Sequence, residues 1–67
     1  MKAKYDVEIS GSITAHRTAN THLGLKRIAN RAQGRVSVVK NGVEIFLGSG
    51  RELIDAIKAA EEYGKEF

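Results

Sequence analysis

Residues 35–53, RVSVVKNGVEIFLGSGREL, contain a β-hairpin, a turn and the start of a helix, each with its own chemical signature. Asn41-Gly42 is a strong hairpin signal, because a type I′ turn needs positive φ at both central residues. Pairing outward from it sets Lys40 opposite Val43, Val38 opposite Ile45 and Val36 opposite Leu47. Val36, Val38, Val43, Ile45 and Leu47 then share one apolar face, with Lys40 at its rim and Phe46 beside Val39 on the far face. Ser49-Gly50-Arg51-Glu52 has the form of a capping box and opens an amphipathic helix over 50–63. Leu53, Ala56, Ile57, Ala60, Gly64 and Phe67 make its inner stripe.

The N-terminal half repeats this order. From 5 to 17 the odd positions read Tyr, Val, Ile, Gly, Ile, Ala, Arg and the even ones are polar, the period of a strand. Thirteen residues are many for one strand. A loop at Ser10-Gly11-Ser12 pairs Ile9 with Ile13 and Val7 with Ala15 and keeps one apolar face; a single long strand bulged at Gly11 is the alternative. A helix follows over 21–33, with Thr21 as N-cap and Gly34 as the left-handed residue at its end. Leu25, Ile28, Ala29 and Ala32 form its buried stripe, opposite Lys26, Arg27 and Arg31. Offset by 28 positions, Leu25 falls on Leu53, Ala29 on Ile57 and Ala32 on Ala60. The expected fold is α+β: a small antiparallel sheet of two hairpins with two helices on one face, ββαββα, or βαββα with one long first strand. A helix–turn–helix is disfavoured, since only six residues, four of them Val or Ser, separate Gly34 from Asn41.

Sixty-seven residues make one domain with a small core, which leaves a homo-oligomer open. The chain has no cysteine, hence no disulfide or thiolate site, which fits the cytoplasm. Residues 1–10 carry no apolar run of the kind a signal peptide needs, and no stretch approaches the roughly 20 apolar residues of a membrane span. Charge is uneven: residues 1–50 hold 8 Lys/Arg against 3 Asp/Glu, and residues 51–67 hold 3 against 5. A basic body with an acidic last helix makes a polyanion the first partner to consider.

The connection into the first helix, His16-Arg17-Thr18-Ala19-Asn20-Thr21-His22, holds cations and hydroxyls but no acid. A helix start with free N–H groups and no acid of its own suits a phosphate. Lys26, Arg27 and Arg31, with Arg35 beyond them, extend a basic strip. His16, Arg17, His22, Lys26, Arg27, Arg31, Arg35 and Lys40 are therefore the expected phosphate contacts of a small nucleic-acid-binding or regulatory protein that works without catalysis. No aromatic residue is interleaved with them, which argues against base stacking as the main contact. Gly48-Ser49-Gly50-Arg51 follows a strand like a phosphate loop, yet Glu52 would repel the anion, and no Gly-Lys-Ser/Thr follows. His16 and His22 lack ligand spacing, so neither metal nor cofactor is expected. The alternative is a protein-binding module or inhibitor, for instance of a nucleic-acid-processing complex, or a homodimer. It would act through Phe46 and the acidic face of Glu52, Asp55, Glu61, Glu62 and Glu66.

Overall fold

The structure is a computed structural model that describes residues 4–67. Residues 1–3, part of the segment expected to carry no signal peptide, lie outside the described residues. Strands β1 (Tyr5–Ser10) and β2 (Ala15–Ala19) precede helix α1 (His22–Arg31); β3 (Arg35–Lys40) and β4 (Val43–Ser49) precede α2 (Gly50–Glu62). All neighbouring strands are antiparallel, in the order β2-β1-β3-β4. The fold is thus α+β with the order ββαββα, and the two ββα units meet through their first strands. Tyr5, Val7, Val36 and Val38 of the sheet and Leu25, Ala29, Leu53 and Ile57 of the helices are buried in one cluster. Leu53 and Ile57 are fully covered, and burial of such a side chain stabilises by about 1.5–3 kcal/mol.

Two expected registers differ from the observed ones. In the first hairpin Ile9 pairs with Ala15 and Val7 with Arg17, so the loop is longer than three residues and Ile13 lies 83% exposed. The cause is β1's second neighbour: Ser10 still pairs with Arg35 of β3, so the chain cannot turn until β1 has ended. The shift is by two residues, so Val7, Ile9 and Ala15 keep their face. In the second hairpin Asn41 and Gly42 have φ of 54° and 79°, as a type I′ turn requires, and Lys40 does face Val43. A bulge then follows between Val38 and Val39, so Val38 faces Phe46 and Val36 faces Gly48. Strict alternation would have buried Ile45 and Leu47; the inserted residue instead turns Phe46 toward the core, where its ring lies 6.2 Å from that of Phe67. Val43, Ile45 and Leu47 are 61%, 38% and 55% exposed.

Thr21 caps α1, its Oγ accepting the Gly24 N–H at 3.0 Å. This helix stops at Arg31 instead of Gln33, because the chain leaves it at Ala32 to carry Gly34 across the Ser10 carbonyl into β3. Gly34 has the expected positive φ, 119°, but lies past the cap. Ser49 and Glu52 form the reciprocal capping box, with bonds of 3.2 and 3.0 Å. Helix α2 ends in a Schellman motif: Lys65 N–H donates to Ala60 O at 2.8 Å, Gly64 N–H to Glu61 O at 3.0 Å, and Gly64 has φ 69°. This closing turn aims Glu66 and Phe67 back at the sheet. No described helix is long and apolar enough to cross a membrane.

Gly50 sets how closely the helices approach, since a Cβ there would overlap the Ala29 carbonyl oxygen of α1. Helix propensity alone would make Gly50→Ala stabilising by roughly 0.5–1 kcal/mol. The contact predicts the opposite sign, a loss of about 1–3 kcal/mol in urea unfolding. An unchanged or raised midpoint would refute the close approach.

Candidate functional site

The fold divides the expected cations into three groups. Arg17 pairs with Val7, a core residue, so its side chain leaves β2 on the helix side of the sheet. Arg27 and Arg31 lie one helical turn apart on α1, and the three arginines line one cleft of about 850 Å³. Ile9, Ala15 and Ile28 give it an apolar floor, and Asn30 and Gln33 add amide donors and acceptors. Among the described residues no carboxylate lines this cleft, and none pairs with Arg17, Arg27 or Arg31. The Arg17 guanidinium is anchored at one nitrogen, Nη1, which donates to the His16 carbonyl at 3.0 Å.

His22, Lys26 and Lys40 are engaged elsewhere. Lys26 and His22 both meet Glu61 of α2, the imidazole Nδ1 lying 3.4 Å from Oε2. Phe67 N–H donates to His22 Nε2 at 3.2 Å, which assigns the ring proton to Nδ1, toward Glu61. Lys40 donates to Glu66 Oε1 and to the Phe67 main-chain oxygen, each at 3.1 Å, and Tyr5 Oη donates to that same oxygen at 3.2 Å. Lys4 also pairs with Glu66. Hydrogen bonds from Lys4 and then Lys40, followed by their charges, push the Glu66 carboxyl down to about 2. The Lys26 hydrogen bond is the largest cause holding Glu61 below its ordinary value, and His22 adds to it. The α1 N-terminus therefore does not gather the donors expected of it: Asn20 Oδ1 accepts from Lys4 N–H, Thr21 caps, and His22 holds Phe67.

His16 and Arg35 form the third group, on the opposite face of the sheet. His16 pairs with Glu8, and Arg35 lies between Ser10 and Ser49. The acidic set proposed for protein contact is divided as well. Glu52 is bound in its capping box, where the Ser49 N–H and then the Ser49 hydroxyl lower its pKa. Glu61 is paired, while Asp55 and Glu62 are exposed. Phe46, expected on the far face, packs against the core. The residues that sequence reasoning undervalued are those of the cleft floor. Arg17 closes the apolar odd-numbered series of the first hairpin, and that parity was the signal that it faces α1.

No family model, curated protein or solved structure matches this chain. The cleft offers guanidinium, amide and apolar groups, a set that binds oxyanions by paired N–H donors. Among the described residues no three His, Cys, Asp or Glu side chains gather in a metal-ligating group.

The C-terminal clasp has a pH signature. The Glu66 pKa is lowered from 4.5 to about 2, so its stabilising contribution is complete above 4.5 and disappears as pH falls to about 2. Glu66 is half-exposed, so solvent and salt screen the effect. The melting temperature of Glu66→Gln should fall below wild type at neutral pH, converge with it near pH 2, and differ less in high salt. Equal melting temperatures at pH 7 would show that the clasp contributes nothing.

Proposed function

We propose that this protein binds the sugar–phosphate backbone of nucleic acid through the cleft of Arg17, Arg27 and Arg31, without catalysis and largely without sequence specificity. The observation that carries this reading is convergence: three exposed arginines from two separate elements line one cleft that contains no acid. A solvated basic face would scatter its cations or pair them, as the chain does with Lys26 and Lys40. The guanidinium fork matches phosphate oxygens, and it stays charged at any working pH. A net charge of +3 adds long-range attraction to a polyanion.

His22, Lys26 and Lys40 are bound to the chain's own carboxylates and make poor phosphate ligands in this reading. His16 and Arg35 lie across the sheet from the cleft and contribute to the field more than to the contact. The protein-binding alternative loses Phe46 as an exposed anchor, and its acidic face retains only Asp55 and Glu62 unengaged.

Three neutralised phosphates imply a slope of log K against log salt of about −2 for single strands and about −2.7 for duplex. Between 50 and 200 mM salt, affinity should drop about 15- to 40-fold by that slope. Fluorescence anisotropy with short labelled DNA and RNA should show this, and Arg27→Glu/Arg31→Glu should abolish binding while Lys26→Ala changes it little. Absence of binding at low salt, or binding insensitive to salt, would refute the proposal.

A further inference from the structure

The arginine cleft holds more than a phosphate requires. Guanidiniums suffice for phosphate oxygens, yet the floor between them is apolar. Ile9 and Ala15, paired across β1 and β2, supply one side of that floor, and Ile28 of α1 supplies the other. All three are half-buried, so each keeps surface that an occupant would cover. Helix α1 also ends in this cleft, whose lining includes residues 30–33. The last carbonyls of a helix lack intrahelical partners and carry partial negative charge. Such an end disfavours an adjacent phosphate and accepts N–H groups instead. The Asn30 and Gln33 side chains each offer both a donor and an acceptor there.

We propose that the occupant is an unpaired nucleotide of a single strand, an inference that rests on the phosphate contacts of Arg17, Arg27 and Arg31 proposed above. Its phosphates meet the arginines, and its base lies on Ile9, Ala15 and Ile28 with an edge toward Asn30 and Gln33. The two kinds of surface match the two halves of a nucleotide: an anion, and a flat neutral ring edged with donors and acceptors. A volume of about 850 Å³ lies within the roughly 300–1,000 Å³ of pockets that hold small molecules. Duplex offers the cleft its phosphates alone, because its bases are stacked and paired, and the apolar floor then stays in water. A base of a single strand can splay out of the backbone and cover that floor. Amide side chains that donate and accept serve any base, in keeping with binding that is largely independent of sequence.

Fluorescence anisotropy of the full chain at low salt tests this with a mixed-sequence single strand of DNA, its duplex, and a single strand of equal phosphate count with abasic tetrahydrofuran residues. The base-bearing strand should bind about tenfold more tightly than the abasic one, and more tightly than duplex. Ile28→Gln should remove most of that preference and leave the abasic affinity and its salt slope unchanged. Asn30→Ala/Gln33→Ala, at exposed positions, should reduce the same preference with unchanged far-UV circular dichroism. Base-bearing and abasic strands bound equally, or duplex bound as tightly as single strand, overturn the inference. If that binding is still lost in Arg27→Glu/Arg31→Glu, the phosphate contacts stand without a seated base. A preference for bases that persists in both folded floor and amide variants places the base elsewhere and overturns the seat. Binding of no probe, or binding indifferent to Arg27→Glu/Arg31→Glu, overturns the phosphate contacts and this inference together.

Discussion

Burial of Phe46 requires β4 to carry one residue more than β3 between the Asn41-Gly42 turn and Val38. The turn fixes the start of the pairing, because Asn41 and Gly42 hold positive φ and set Lys40 against Val43. The capping box fixes the other end, because Ser49 must reach the Glu52 N–H while Gly50 lies against the Ala29 carbonyl. A strictly alternating strand between these anchors would place Leu47 against Val36. The bulge places Gly48 there and gives Phe46 to the core beside Phe67. The position of α2, the route of the C-terminal residues and the apolar outer edge all depend on that one extra residue.

The C-terminal route then decides how the positive charge is used. After the Schellman turn, Glu66 and Phe67 fall among Lys4, Lys40, Tyr5 and His22, and Glu61 holds Lys26. The acidic helix thus neutralises the cations nearest to it and fastens the last residues to the first strand. The arginines on the far side of α1 escape this pairing. Among the described residues no acid pairs with them or lines their cleft, and this distinguishes the cleft from the rest of a moderately basic surface.

Local chemistry made much of this legible in the sequence. The type I′ turn, the Thr21 cap, the capping box and the Leu25/Ala29 and Leu53/Ile57 stripes each depend on residues within a few positions, and the structure contains all of them. Registers were less legible because they are settled by third parties. Ser10 pairs with β3 and so delays the first turn, and Phe46 finds a partner at the other end of the chain. The same holds for the candidate site. Arg27 and Arg31 share a helix face by simple spacing, but their meeting with Arg17 requires the observed β2 position. The engagement of His22, Lys26 and Lys40 depends on acids far away in the chain, which local spacing does not reveal.

The most direct test of the account is an amide chemical-shift titration of the protein with a short single-stranded oligonucleotide at low salt. The account predicts that the largest changes fall at Ala15, Arg17, Arg27, Arg31 and Gln33, the two walls of the cleft, with His22, Lys40 and Phe67 little moved. Changes centred on the C-terminal clasp or on the outer face of the sheet, or none at all, would contradict it.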